Sequence, residues 1–415
     1  MSSGCQVDGD GKSGTRMDAD KKADCCVLLL VLYARLMRED ATAMIETNTL
    51  IIGAGPAGLA VAACLKQCGV PFILLEQGER VGRAWHEHYD RLHLHTSRGM
   101  SGLPGYPMPR SYPRYPSREQ VTAYLADYAA HFGLEPHFNQ RLVRAERVDG
   151  RWLAQTDDRR YTAESLVLAT GYTRKPHVPT WPGRDDYTGP VLHSSEYRNG
   201  RPFTGQDVLV VGFGNSGGEI AVDLYEHGAR PSIAVRSPVN IIPRDTLGIS
   251  SLQWNLLLSR LPGRLGDLVA APLVYASVGN VYKHGLRKNR VGPIEQIKTE
   301  EQVPLIDVGT VKLIKSGALP LYPGIERFTP SGVVFSDGRA CDFDAVVLAT
   351  GYRPDVGELI PQAGEAIAPG GVPVASGCEL GLPGLYACGF YVSRTGMLRE
   401  IGIEARRIAE TIAAV

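Results

Sequence analysis

No apolar run in the 415-residue sequence is long enough to cross a bilayer. The longest, CCVLLLVLYARLM at 25–37, has 13 residues and is interrupted by Arg35, whereas a spanning helix needs roughly 20. No firm membrane association is therefore expected. Charge of one sign is lacking too: Lys plus Arg and Asp plus Glu are 44 each, and no long basic block offers a footprint for nucleic acid. Metal-type Cys-x-x-Cys spacing is missing, and no cysteine lies between Cys68 and Cys341, so neither a zinc ribbon nor a disulfide framework is indicated. The eight cysteines fit reduced thiols in a cytoplasmic protein. Cys64 and Cys68, four apart, read as small apolar residues on one helix face rather than a redox pair.

Residues 1–43 stand apart. The first 24 are mostly Gly, Ser, Asp and Lys, a composition that cannot bury a core and reads as disordered. The run at 25–37 follows Lys21 and Lys22 as a signal peptide's apolar region would, but no small-x-small cleavage site comes after it. A leader with a short peripheral helix, or a start that belongs at Met44, is the expectation. The remaining length exceeds one typical domain of about 150 residues, so two or three cores are expected.

Glycine is abundant, at 47 residues, and GxGxxG occurs three times. With that many glycines the bare pattern arises about 0.6 times by chance, so its surroundings must decide. Gly9, Gly11 and Gly14 have no strand before them and no apolar helix after them, and read as coincidence. Gly53, Gly55 and Gly58 follow the buried-strand run TLII and open the alanine-rich helix LAVAACLKQCG. Gly53 suits a tight turn, Gly55 a close approach of backbone to a pyrophosphate, and Gly58 close packing of helix on strand, with phosphates at the helix N-terminus. The next strand, PFILL, leads into Glu76, where an acid accepts hydrogen bonds from ribose hydroxyls. Gly212, Gly214 and Gly217 repeat the frame in DVLVVGFGNSGGEIAVDL, but the strand that follows leads into Arg236. A guanidinium there suits a 2′-phosphate and so NADPH over NADH. Two dinucleotide folds in one chain imply a flavin beside a nicotinamide, with hydride transfer between them.

Two apolar strands end alike, in SLVLATGYTRKP at 165–176 and AVVLATGYRPD at 345–355, as expected where the chain passes between two nucleotide domains. Just before the second loop, YTGPVLHSSEY places Tyr187, Gly189, His193 and Tyr197. With this motif in place the sequence resembles the flavin-containing monooxygenases, in particular their YUCCA-like branch. That family's motif is Phe-x-Gly-x-x-x-His-x-x-x-aromatic, here with Tyr for Phe. The resemblance runs from about residue 46 to the C-terminus and includes WHEHYDRLHLHTS, GLPGYPMP, VVGFGNSGGEIAVDL and LYACGFYVSRTGMLREIG. It departs at Arg83, where many relatives carry a second glycine, and in the wording of the first ATGY. Baeyer–Villiger relatives end the motif in Trp followed by Pro or Asp, whereas Arg198 follows Tyr197 here.

The fold class implied is α/β: two Rossmann-like dinucleotide-binding domains, the NADPH domain inserted in the FAD domain. The expected boundaries are a leader at 1–43, the first part of the FAD domain at 44–204, the NADPH domain at 205–325 and the second part of the FAD domain at 326–415. Expected contacts to FAD are Gly53, Gly55, Pro56, Ala57, Gly58, Glu76, Gln77, Trp85, Thr170 and Gly171. Expected contacts to NADPH are Gly212, Gly214, Asn215, Ser216, Gly217, Arg236 and Ser237, with Thr350 and Gly351 at the second crossing. Asn215 and His193 are the candidate catalytic positions, the first for cofactor placement and the second for linker geometry. His86, His88, His93 and His95 lack a completing Asp, Glu or Cys, so no metal is expected; a strand bordering the flavin fits them better. The resemblance implies that NADPH reduces FAD, that O₂ forms a C4a-hydroperoxide on the flavin, and that this oxygenates a small organic substrate. The candidate is an aryl 2-oxo acid such as indole-3-pyruvate, decarboxylated oxidatively. Open alternatives are N- or S-oxygenation of a soft nucleophile, an NADPH–flavin reductase without oxygenation, and a flavin-binding sensor. Substrate contacts are expected within 240–330, with core packing of that stretch, Trp254 included, as the alternative.

Overall fold

The computed structural model describes residues 44–258, 261, 263–300, 302–393 and 395–414. The expected leader, with its first GxGxxG copy, lies outside them. The run from Met44 folds as expected for a buried parallel strand that turns sharply into a helix. Strand β1 (Met44–Ile52) ends at Gly53, whose φ of +104° only glycine adopts readily, and helix α1 (Pro56–Gln67) starts with proline in its first turn. Ala57 through Leu65 are all buried, and small side chains let α1 lie close on the sheet. Strand β2 (Phe72–Leu75) returns parallel to β1.

The first sheet runs in the order β2, β1, Arg160–Leu168 (β3), Arg151–Thr156, Leu142–Val148. β3 pairs with β1 along its whole length. Its other edge is shared: Arg151–Thr156 takes the beginning antiparallel, and Leu385–Ala387, arriving from the end of the chain, takes Leu166–Leu168 parallel. The last helix, Met397–Ala413, sets Leu398, Ile401, Ala405, Ile408, Ala409 and Ile412 on one face, and these share a core with α1.

The second sheet is all parallel, in the order Leu321–Tyr322, Arg230–Ala234, Asp207–Val211, Ala345–Leu348, Val191–His193. Its middle strand β4 (Asp207–Val211) leads through the Gly212 loop into α2 (Asn215–Glu226), which is followed by β5 (Arg230–Ala234); β6 (Ala345–Leu348) lies on the other side of β4. The expected boundaries at 204/205 and 325/326 do not coincide with the changes of sheet. Val191–His193 and β6 both hydrogen-bond into the second sheet, because each carries backbone donors and acceptors that must be paired when buried. Tyr89, well inside the expected FAD stretch, is buried in the second unit's core.

The histidine-rich segment is not a strand. His86 lies in the short helix Arg83–Glu87 and His88 is the residue that ends it; only His93 makes a single bridge, to Ser117.

Candidate functional site

A cavity of about 920 Å³ opens at the first glycine loop, near the upper end of the range of about 300–1,000 Å³ usual for ligand sites. Of the expected flavin contacts, Gly53, Gly55, Pro56, Ala57, Glu76, Gln77, Trp85, Thr170 and Gly171 line it. Gly58 does not, and its reason is packing: a Cβ there would lie 1.8 Å from the Gly53 carbonyl oxygen. The residues present fit FAD. Gly55 caps α1 without a side-chain hydrogen bond, leaving helix N–H groups free for phosphate. A Cβ on Gly55 would meet no protein atom within 4 Å; it would project into the space a pyrophosphate needs. Glu76 is buried, with Oε2 accepting from Ala54 N at 2.8 Å and Oε1 from Gly78 N at 2.9 Å, so its charge is held at the loop. Thr170 Oγ1 is shut off from solvent and has no hydrogen-bond partner among the described residues, as befits a hydroxyl whose partner is a ligand.

The second loop repeats this geometry away from that cavity. Gly212 has φ of +113°. A Cβ on Gly217 would lie 2.1 Å from the Gly212 carbonyl oxygen, and a Cβ on Gly214 would meet nothing within 4 Å. Gly214 caps α2 with no side-chain hydrogen bond, so the N-terminus is again free for phosphate. Arg236 and Ser237 are exposed just beyond β5. Arg287, which no sequence signal singled out, donates a hydrogen bond to the Arg236 carbonyl and brings a second guanidinium beside it.

The two candidate catalytic positions line no part of the cavity. Asn215 Oδ1 accepts from Ile306 N at 2.8 Å, tying α2 to the strand Leu305–Asp307. His193 Nε2 donates to the Gly351 carbonyl at 3.0 Å, and its Nδ1 accepts from Ser195 N at 3.1 Å. Burial holds its pKa below the usual histidine value, in keeping with a neutral ring that locks the second crossing. Each side chain is thus engaged with the backbone of a neighbouring element. Thr350 and Gly351 likewise face the first crossing: Thr350 Oγ1 donates to the His177 carbonyl, and His177 N donates to that of Gly351.

The rest of the motif is equally structural. The Tyr187 hydroxyl donates to the Phe343 carbonyl at 2.7 Å. A Cβ on Gly189 would collide with that hydroxyl at 2.4 Å and with the Asp344 carbonyl at 2.7 Å. Buried Asp223 on α2 accepts from the Tyr197 hydroxyl at 2.6 Å and from Gly200 N at 2.8 Å. The motif therefore seats the second loop's helix.

The stretch 240–330 contributes nothing to the cavity wall among the described residues. Trp254 Nε1 donates to the Thr246 carbonyl at 3.2 Å, and Leu265, Leu268, Val269 and Tyr275 are exposed. The wall is instead completed by His88 and His95, from the segment expected to border the flavin, and by residues not among the expected contacts, such as Gln140, Tyr172, Arg198 and Tyr352. No cluster of three or more metal-ligating side chains exists among the described residues, and no described helix is long and apolar enough to cross a membrane.

Two dinucleotide loops, one on a mixed sheet and one on an all-parallel sheet, joined by paired crossings, define an oxidoreductase that uses two nucleotide cofactors. A family model for pyridine nucleotide-disulphide oxidoreductases matches residues 50–247. The probable indole-3-pyruvate monooxygenase YUCCA4 of Arabidopsis thaliana is 38% identical over 379 residues, covering 90% of this chain and 91% of that protein. The indole-3-pyruvate monooxygenase YUCCA1 of Oryza sativa subsp. japonica is 40% identical over 351 residues, 83% of this chain and 86% of that one. Among solved structures, a mutant flavin monooxygenase from Stenotrophomonas maltophilia superposes with a TM-score of 0.68 at 26% identity, over 89% of this chain and 99% of that one. The chain belongs to the flavin-containing monooxygenase family, in its YUCCA branch, and is an FAD- and NADPH-dependent monooxygenase.

Proposed function

We propose that this monooxygenase oxidatively decarboxylates an aryl 2-oxo acid of the indole-3-pyruvate class. The observation that carries the reading is the 36–40% identity to indole-3-pyruvate monooxygenases along most of the chain. The cavity wall supports it, with Trp85, Tyr172 and Tyr352 among its aromatic and Arg174 and Arg198 among its cationic lining residues. The reaction balances as 2-oxo acid, O₂, NADPH and a proton giving the acid one carbon shorter, CO₂, NADP⁺ and water.

Bound FAD supplies the relay of two electrons from NADPH to O₂ and the transfer of one oxygen atom. The protein's share is placement and exclusion of water. The Gly53–Gly58 loop and Glu76 would hold the flavin nucleotide, with the unpartnered Thr170 Oγ1 beside them; the Gly212–Gly217 loop and Arg236 would hold the nicotinamide nucleotide. Asn215 and His193 hold loop and crossing rigid. The division of units that the strand pairings support has the NADPH domain at 191–348. Work in the cytoplasm suits the free thiols Cys64, Cys68, Cys341, Cys378 and Cys388.

The test is turnover of indole-3-pyruvate beside trimethylamine, with NADPH, O₂ and CO₂ followed together. Equal consumption of NADPH, O₂ and oxo acid with matching CO₂ is the expected result. Oxygenation of the amine alone, or NADPH oxidation with no organic product from either compound, would overturn the assignment.

A further inference from the structure

The segment from Tyr89 to His95 clasps α2. Tyr89 is 2% exposed within the second unit's core, and its hydroxyl interacts with Ser216 and Glu219. Arg91 pairs with Glu226 at the far end of the same helix. Between them, His95 Nε2 lies 2.8 Å from Glu219 Oε1. Two buried carboxylates thus sit on one helix, and they differ. Asp223 has its donors in Tyr197 and Gly200. Glu219, 3% exposed, meets His95 off the line of a hydrogen bond, so that Glu219 Oε1 and His95 Nδ1 are both shut off from solvent with no hydrogen-bond partner among the described residues.

A carboxylate withdrawn from water is costly unless paired, and the packing of α2 does not call for one: Ile220, Ala221 and Leu224 supply its apolar face. His95, meanwhile, belongs to the cavity wall between Leu94 and Thr96. It therefore touches the NADPH-loop helix with one ring nitrogen and stands on the flavin cavity's wall. Hydrogen bonds that serve a bound ligand are often poorly aligned until that ligand is in place.

We propose that Glu219 is a positioning residue which draws the Nε2–H of His95 toward itself, and that His95 Nδ1 thereby becomes a hydrogen-bond acceptor for an amide-type N–H of a cofactor bound in the cavity. A neutral imidazole donates from one nitrogen and accepts at the other, so fixing the first fixes the second. Two cofactor groups share the required chemistry, the imide N–H of the flavin ring and the carboxamide N–H of the nicotinamide. The role does not depend on which oxo acid is the substrate.

The test uses the FAD-bound protein carrying ¹⁵N-histidine, with the His95 resonances identified as those lost in His95→Gln. The expected spectrum shows His95 protonated at Nε2. Glu219→Ala shifts it toward mixed tautomers, whereas Glu219→Gln, which keeps an acceptor oxygen, preserves the wild-type form. A hydrogen-bonded Nδ1 already present with oxidised FAD alone identifies the flavin as donor; one that appears only on adding NADP⁺ identifies the nicotinamide. An Nδ1 without a hydrogen bond in both arms, or a tautomer indifferent to Glu219→Ala, overturns the proposal. In rapid mixing at saturating NADPH, flavin reduction slows by about tenfold or more in Glu219→Ala and recovers to within about threefold in Glu219→Gln, with flavin content unchanged. Loss of bound flavin in both variants, or equal slowing in both, marks a packing role and overturns it. If Glu219→Ala does not accumulate as folded protein, His95→Gln carries the kinetic test: slowed reduction at unchanged flavin content supports the role, and wild-type reduction refutes it.

Discussion

Gly55 and Gly58 stand three residues apart in one loop and are glycine for different reasons. A Cβ on Gly58 would strike the Gly53 carbonyl oxygen at 1.8 Å, while a Cβ on Gly55 would meet no protein atom within 4 Å. Gly55 also has an ordinary φ of −78°. Gly55→Ala is therefore expected to fold with a stability change below about 1 kcal/mol and to lose FAD on desalting, read from the flavin absorbance of the purified protein. Retention of the yellow colour would show that no phosphate approaches this backbone. The loop's chemistry was legible because glycine is needed at fixed spacing after a strand. Glu219 was not legible, because nothing in EIAVDL distinguishes a buried carboxylate from one on a solvated face until the partner helix or loop is known.

At the level of elements, the motif from Tyr187 to Tyr197 reads from sequence as a family mark and from the structure as a seat for α2. Tyr197 is 1% exposed, and its hydroxyl is one of the donors that compensate buried Asp223. Tyr197→Phe removes that donor and leaves the carboxylate short of a partner, a loss on the order of 1–3 kcal/mol. The expected result is a lower denaturation midpoint in urea with flavin content retained; an unchanged midpoint would mean that water replaces the hydroxyl. The strand Val191–His193 within this motif has 3 residues, too few for an alternating pattern to announce it. Its place in the second sheet comes from pairing with β6. The histidine-rich segment failed for the opposite reason. His-x-His spacing suits one face of a strand, but the αL conformation at Gly82 starts a short helix there, and the clasp on α2 sets the course of the rest.

For the whole molecule the deciding feature is that the chain crosses between the two units twice, and the crossings are bound to each other. Lys175–Pro176 pairs with Tyr352–Arg353, and Lys175 makes an ion pair with Glu358 at 2.5 Å. Tyr115 from the first unit donates to Asp245 of the second at 2.6 Å, with the Arg244 guanidinium 4.3 Å from the Tyr115 ring centre. These contacts fix the two nucleotide loops relative to each other. Arg236→Ala is expected to raise the KM for NADPH by about tenfold or more while changing that for NADH little, since only the former carries a 2′-phosphate. Steady-state kinetics with both nucleotides tests this, and equal changes would refute the assignment of Arg236.

By itself the sequence determined the two phosphate loops, the acid and the arginine that follow them, the paired ATG crossings and hence the class of chemistry. Each is a local demand of backbone geometry or charge, met by residues close together in the chain. Only the tertiary structure decided which strands belong to which sheet, which backbone groups Asn215 and His193 bind, that no described residue of 240–330 lies on the cavity wall, and that His95 meets Glu219. Those are contacts between residues more than 20 apart in sequence, where pairing energy depends on what the fold brings within reach and leaves no periodic trace in the chain.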